Sequence, residues 1–210
     1  LSATGYAEWV LGDLRPKSTM HVVTEVDPNS GALFARNSYN TEFANRVAFF
    51  DVDDATRTVS CDRTEFLGRN GTLRRPVAMT RSRLSGKVGA ALDPCAAIQV
   101  SFDLADGQER EIIFRLGAGR DADDAGNIVR RFRGSAAARS TLDAVWQYWN
   151  HTLGAVNVET PDQSVNVLAN GWLMYQTLAC RLWARSGFYQ SGGAFGFRDQ
   201  LQDVMALIHT

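Results

Sequence analysis

The residues best suited to chemistry lie near the end of this 210-residue chain. There Tyr189-Gln190-Ser191-Gly192-Gly193-Ala194-Phe195-Gly196-Phe197-Arg198-Asp199-Gln200-Leu201-Gln202-Asp203 reads as a glycine-bearing loop running into a helix. The glycines permit close backbone approach to a ligand or unusual dihedrals, but no Gly-Lys-Ser/Thr ending follows, so this is not a phosphate-cradling loop. Asp199 and Asp203, four apart, share one side of the helix, and Leu201, Val204, Met205 and Ile208 share the other. Like charges at that spacing, with no matching lysine, cost a helix about 0.2–0.5 kcal/mol, so the face needs either bulk water or a ligand. In a polar cavity the carboxylates would accept hydrogen bonds from hydroxyl groups, and Arg198 would donate to ring substituents or an anion. A purely structural role stands beside this: a solvated face, with Asp199 and Gln202 forming a capping box.

Composition restricts what such a site can serve. Lys and Arg number 22 against 23 Asp and Glu, and 45% of residues are hydrophobic. This is a folded chain without the global field that draws in nucleic acid or an anionic membrane surface. No apolar run approaches the roughly 18 residues of a membrane span. The start, Leu1-Ser2-Ala3-Thr4-Gly5, has neither Met nor a signal-peptide pattern, and reads as a piece of something longer. Cys61, Cys95 and Cys180 are odd in number and lack Cys-x-x-Cys spacing, which argues for free thiols in a reducing compartment, the cytoplasm, rather than for a disulfide framework or zinc site. His21, His151 and His209 are scattered. Asp121-Ala122-Asp123-Asp124 opens like a calcium loop, but Ala125 and Phe132 occupy positions that should supply oxygen ligands. Asn70-Gly71-Thr72 and Asn150-His151-Thr152 fit the glycosylation pattern, which matters only after secretion. Arg69, Arg74, Arg75, Arg81 and Arg83 read as a solvated basic loop.

The elements that must position these groups change character along the chain. From residue 6 to about 117 the pattern is that of strands. Val22, Thr24 and Val26 alternate with their neighbours up to the turn Asp27-Pro28-Asn29-Ser30-Gly31, and Ala32–Arg36 forms the returning arm. Val47–Phe50, Thr58–Ser60, Ile98–Leu104 and Glu111–Leu116 continue the series, with Asp106-Gly107 suggesting a tight hairpin between the last two. Strands without intervening helices predict an antiparallel sandwich. Asp121–Arg133 and Ala136–Thr152 read as linking helices, and Val156-Asn157-Val158 as an extended link. A helix capped by Thr160, with Pro161 at its first position, is predicted from Asp162 to about Arg185. Val165, Leu168, Trp172, Leu173, Met174, Tyr175, Leu178, Leu182 and Trp183 surround it. A helix apolar on every side must be buried on every side, and the few residues after it cannot wrap it, so its neighbours are expected from sequence beyond Thr210 or from another chain.

Several stretches resemble a known family: Tyr6-Ala7-Glu8-Trp9-Val10-Leu11-Gly12, His21-Val22-Val23-Thr24-Glu25, Gly31–Asn37, Thr64-Glu65-Phe66-Leu67-Gly68-Arg69-Asn70-Gly71, and Gly193-Ala194-Phe195-Gly196-Phe197-Arg198-Asp199-Gln200-Leu201-Gln202-Asp203. They are similar to the cellobiose and chitobiose phosphorylases, glycoside hydrolase family 94, and within it to the phosphorylase-like C-terminal region of cyclic β-1,2-glucan synthases. The resemblance implies a mainly β plus α chain: an N-terminal β-sandwich (super-sandwich) over 1–118, a helical linker over 119–158, and the first helices of a truncated (α/α)6 barrel over 159–210. It implies a parent enzyme that is an inverting phosphorylase or a glucan synthase. No cofactor is implied, only inorganic phosphate as co-substrate. The partner is a β-glucan or oligosaccharide, with a homodimer left open and any membrane attachment of the parent lying in other segments. Arg198 and Asp203 match sugar-contacting positions, Asp199, Gln200 and Gln202 are supporting candidates, and the general acid has no counterpart here. The rival reading is a non-catalytic carbohydrate-binding or dimerisation module. It would show an exposed aromatic row drawn from Trp9, Phe34, Tyr39, Phe43, Phe49 and Phe50, which are expected to be mostly core.

Overall fold

Val47-Ala48-Phe49-Phe50 lacks the alternation of a half-solvated strand, and the computed structural model gives the reason: β4 (Val47–Val52) is buried on both faces. It belongs to a four-stranded antiparallel sheet ordered β2 (Val23–Val26), β3 (Leu33–Arg36), β4, β7 (Phe114–Gly119). A three-stranded antiparallel sheet has the order β1 (Ser2–Glu8), β6 (Pro94–Ser101), β5 (Thr58–Asp62). Between the sheets, Leu33, Phe50 and Val52 meet Cys61, Ile98 and Val100. Outside the larger sheet, Phe34, Val47 and Phe49 pack under Ala125, Ile128 and Val129 of α3 (Ala122–Arg131). Outside the smaller one, Tyr6 and Ala97 lie beneath Phe66, Leu67, Ala78 and Leu84. The structure describes residues 1–183, 197–205, 207 and 208. By internal contacts the chain forms two units, Leu1–Arg139 and Ser140–Thr210.

The antiparallel sandwich is as the sequence predicts, with two differences. Its strand series is interrupted by two short helices, α1 (Arg15–Ser18) and α2 (Arg63–Leu67), the second of which starts because the Asp62 carboxylate accepts hydrogen bonds from the Thr64 and Glu65 amides. The turn at Asp106-Gly107 forms but closes no hairpin: β6 pairs with β1 and β5, β7 pairs with β4, and residues 102–113 carry the chain from one sheet to the other. Local turn chemistry is the same for a hairpin and for such an arch, so spacing does not separate them. The predicted turn over Asp27–Gly31 does join β2 to β3, with Val26 opposite Leu33. Helix α3 approaches β7 so closely that a Cβ on Gly119 would stand 2.3 Å from the Ala125 backbone nitrogen.

One buried carboxylate ties these pieces together. Asp51 of β4 is completely shielded from solvent. It accepts from Arg57 Nη1 at 2.8 Å, from Arg115 Nη2 at 2.6 Å, and from Arg133 through Nε at 3.1 Å and Nη2 at 2.8 Å. Arg57 and Arg133 also donate to the Ser30 carbonyl, and Arg115 to the Phe132 carbonyl. Burial alone pushes the Asp51 carboxyl up, but the hydrogen bonds and charges of Arg133 and Arg115 outweigh it and hold the group below its ordinary value.

The helices after the sandwich run α3, then α4 (Ser135–Leu153), with Asp121 capping α3 by accepting from the Asp124 amide at 2.8 Å. Asp121 is thus a helix cap. The continuous helix predicted from Asp162 is instead broken. It comprises α5 (Gln163–Val167), a wide π-type turn over Leu168–Trp172, α6 (Leu173–Thr177) and a second wide turn over Leu178–Trp183. The break falls at Asn170 (φ −82°, ψ 65°) and Gly171 (φ 117°), a turn-forming pair whose backbone preference overrides the apolar periodicity around it. The cap is Asp162 rather than Thr160, accepting from the Ser164 amide at 2.9 Å. Asn166 and Asn170, one turn apart, each bind the extended link as a second strand would: Asn166 accepts from the Thr160 amide and donates to its carbonyl, and Asn170 does the same at Val158.

Asp51→Asn takes from three part-buried guanidinium groups the carboxylate they share, leaving only Asp53 beside Arg115, and should lower unfolding free energy by about 3–5 kcal/mol in urea titrations. A carboxyl with a depressed folded value stabilises fully above its unfolded pKa of about 3.9 and progressively less as pH falls through the folded value. The variant should therefore lose part of the acid dependence of stability below about pH 4 that the native chain shows. Gly171→Ala forces a side chain into the left-handed region and should cost about 1–3 kcal/mol in the same assay.

Candidate functional site

The predicted polar strip forms on α7 (Phe197–Met205). At about 100° per residue, positions 198, 202, 199, 203 and 200 occupy one arc of about 200°, and positions 201, 204 and 205 the remainder. Arg198 and Gln202 are exposed; Asp203 is half-buried and engaged by neighbours. The side chains of Asp199 and Gln200, and residues 184–196, where the glycine-bearing loop is predicted, lie outside the described residues. Asp199 follows Phe197 and Arg198 within α7, so it is a position inside the helix rather than its cap, which overturns the capping-box role. The helix thus carries guanidinium, carboxylate and amide positions on one side, a donor and acceptor set suited to hydroxyl groups.

The unit that holds α7 is built on rings. Trp149 of α4 lies 5.3 Å from Tyr175 and 5.3 Å from Trp183, and Trp172 lies 6.1 Å from Tyr175. Among the described apolar side chains of 140–208, Met174 alone is buried, while Val167, Trp172, Leu173 and Trp183 are each more than half exposed. The helix expected to need neighbours on every side is therefore largely uncovered. A cleft of about 420 Å³ opens beside His151, Thr152, Met174, Leu178 and Leu207.

In the sandwich, the charged groups form structural networks. Glu8 accepts from Tyr6 at 3.0 Å, Arg63 at 2.8 Å and Arg15 at 2.9 Å. Burial raises its pKa, but Arg63 and Tyr6 together bring it below the ordinary carboxylate range. Among the described residues, no group of three or more His, Cys, Asp or Glu could hold a metal ion. Arg81 of the basic loop pairs with Glu65 at 2.9 Å, and Arg69, Arg74, Arg75 and Arg83 are exposed. Of the six aromatic candidates, Trp9, Phe34, Phe49 and Phe50 are core, whereas Tyr39 is 74% and Phe43 51% exposed. Both line a concavity of about 850 Å³ with His21. Sequence spacing gives no sign of it, because its walls come from a short helical segment and a loop that only the sheets bring together.

The element order, two stacked antiparallel sheets and then helices, sets the class: a β-sandwich protein with a helical continuation. Residues 1–135 match the family described as glycosyl hydrolase 94, supersandwich domain, and residues 148–210 match the glycosyl hydrolase 94 superfamily catalytic domain. The chain belongs to glycosyl hydrolase family 94. It is 40% identical, over its whole length, to the cyclic beta-(1,2)-glucan synthase NdvB of Rhizobium meliloti strain 1021, of which it covers 7%. It is 25% identical, again over its whole length, to the N,N'-diacetylchitobiose phosphorylase of Vibrio furnissii, of which it covers 27%. With the 3-O-beta-D-glucopyranosyl-beta-D-glucuronide phosphorylase of Paenibacillus borealis it shares 26% identity over 76% of the chain and 20% of that relative. The chain thus spans between about a fifteenth and a quarter of the length of these relatives. No helix among the described residues is long and apolar enough to cross a membrane.

Cys61 and Cys95 are buried and Cys180 is exposed. Burial pushes the Cys61 thiol up to about 11 and the Cys95 thiol higher still, so neither is an accessible thiolate at neutral pH. A thiol-reactive dye should therefore label the folded chain rapidly at one site, abolished by Cys180→Ser, and at all three only after denaturation.

Proposed function

We propose that this chain is the supersandwich, a linking helical segment and, from about residue 159, the opening helices of the (α/α)6 catalytic barrel of an enzyme acting on β-linked glucan. The observation that carries the proposal is the polar strip of α7 inside the stretch matching the catalytic domain. The uncovered apolar surface around Trp172 and Trp183 supports it, since barrel helices bury such surface against one another. The names of the relatives, a β-glucan synthase and β-glycoside phosphorylases, support the substrate class.

In this reading Arg198 and Asp203 hydrogen-bond hydroxyls of the sugar at the bond being broken or formed, with Asp199, Gln200 and Gln202 in support. Phosphate oxygen attacks the anomeric carbon with inversion, the glycosidic C–O bond breaks, and an acidic side chain outside this chain gives its proton to the departing oxygen. The products are a sugar 1-phosphate and a shortened glucan. One protein carboxylic acid suffices, because phosphate takes the place of the activated water of an inverting hydrolase. The reaction uses phosphate as co-substrate and no metal or organic cofactor. Three free thiols support a reducing, cytoplasmic setting for this region.

The whole enzyme, given β-1,2-glucan and phosphate, should release sugar 1-phosphate, while the 210-residue chain alone should not. Arg198→Ala and Asp203→Ala should each lower kcat/KM roughly 10- to 100-fold, the loss of a charge-assisted hydrogen bond of about 1.5–3 kcal/mol. Normal kcat/KM in both variants would remove α7 from the site.

A further inference from the structure

We propose that the cleft between the short helical segment over 11–21 and the 37–46 loop of the sandwich is a second glycan site, binding an uncharged gluco-oligosaccharide segment with the paired His21 and Tyr39 rings as its platform. Neutrality and ring recognition follow from the cleft itself; the choice of a β-glucan rests on the functional reading above.

The cleft is the right size and is already formed. Its volume of about 850 Å³ falls within the usual range for sites that enclose a small ligand. Ala48 and Ala118 line it with small side chains. Asn37 fastens one wall to the other by donating to the Leu11 carbonyl at 2.9 Å, and its oxygen accepts from the Tyr39 amide at 3.1 Å. Asn40 holds the next bend by accepting from the Glu42 and Phe43 amides at 3.1 and 3.3 Å. These bonds fix both walls without a ligand, so little ordering entropy remains to oppose binding. Leu11, at the junction of the two walls, has φ 44°, a left-handed conformation that a leucine holds only where its surroundings impose it.

The chemistry of the walls selects the occupant. The imidazole of His21 and the phenol of Tyr39 stack 4.1 Å apart and 13° from parallel. Tyr39 is 74% exposed, and Phe43 presents a second, half-exposed ring. Exposed aromatic faces in a concave site suit the flat C–H faces of β-linked glucose, whose equatorial hydroxyls then reach polar groups at the rim. Asp13 and Glu42 are balanced by Lys17 and Arg46, so the cleft offers no net field for a phosphate, a nucleotide or a cation. An uncharged, hydroxyl-rich ring compound matches both features.

The test titrates the 210-residue chain with linear β-1,2-glucotetraose and with cellotetraose, following amide NMR shifts and heat. Binding should shift resonances of His21 and residues 37–46. Tyr39→Ala should weaken affinity about tenfold, and Tyr39→Phe, which keeps the ring, by less than about twofold. Because Tyr39 is exposed, thermal midpoints of both variants should match the native chain. Three results would overturn the proposal: no shift in the cleft at millimolar saccharide, binding indifferent to Tyr39→Ala, or tighter binding of glucose 1-phosphate than of the neutral sugars. Binding that survives Tyr39→Ala but disappears in Arg198→Ala would place the saccharide on α7, sinking the cleft proposal while leaving the catalytic reading intact. Cleft binding alongside normal kcat/KM of Arg198→Ala and Asp203→Ala in the whole enzyme would do the reverse.

Discussion

A single carboxylate with no solvent contact, Asp51, is what the first unit depends on. It gathers Arg57, Arg115 and Arg133, and through them the Ser30 turn, strands β4 and β7, the approach to β5 and the exit from α3. An isolated buried charge would be prohibitively expensive; three guanidinium groups with converging N–H bonds make it an organising centre instead. Each arginine also satisfies a backbone carbonyl that has no strand partner there, so the network fixes where α3 ends and where the chain departs toward α4. The remaining positive charge is partly offset by Asp53, 2.5 Å from Arg115.

The two units solve their packing problems differently. The sandwich covers both outer faces, the larger sheet with α3 and the smaller with the 63–84 segment, which is why β4 and β6 read as nearly unbroken apolar runs. In the second unit, rings of α4, α6 and the wide turns touch one another, yet most of the large apolar side chains remain open to solvent. Exposed aromatic and aliphatic surface of that extent marks an interaction face.

The broken helix shows how local and collective preferences compete. Apolar periodicity carried the prediction straight through Asn170-Gly171, whereas the backbone turns there, and the Asn170 amide is spent on the Val158 backbone. Asn166 makes the matching pair of bonds at Thr160, so the two asparagines convert an otherwise unpaired extended link into part of the helical unit. The same logic places Asp162, rather than Thr160, at the start of α5: the side chain that can reach the free amides takes the cap, and Thr160 is already bonded to Asn166.

The amino-acid sequence alone determined the strand-rich first part, the helices near 122–131 and 135–153, the turn over Asp27–Gly31, and the amphipathic character of α7 with Arg198, Gln202 and Asp203 on its polar side. Each of these depends on residues within a few positions of one another, and local periodicity and turn chemistry record such relations directly. Tertiary structure decided the rest. It placed β6 and β7 in different sheets despite the intervening turn, brought Arg133 to a carboxylate 82 residues away, and set His21 of a short helical segment against Tyr39 of a loop. These depend on which strands pair and what lies over each face, a choice governed by burial summed over the whole sandwich, which no short stretch of sequence encodes.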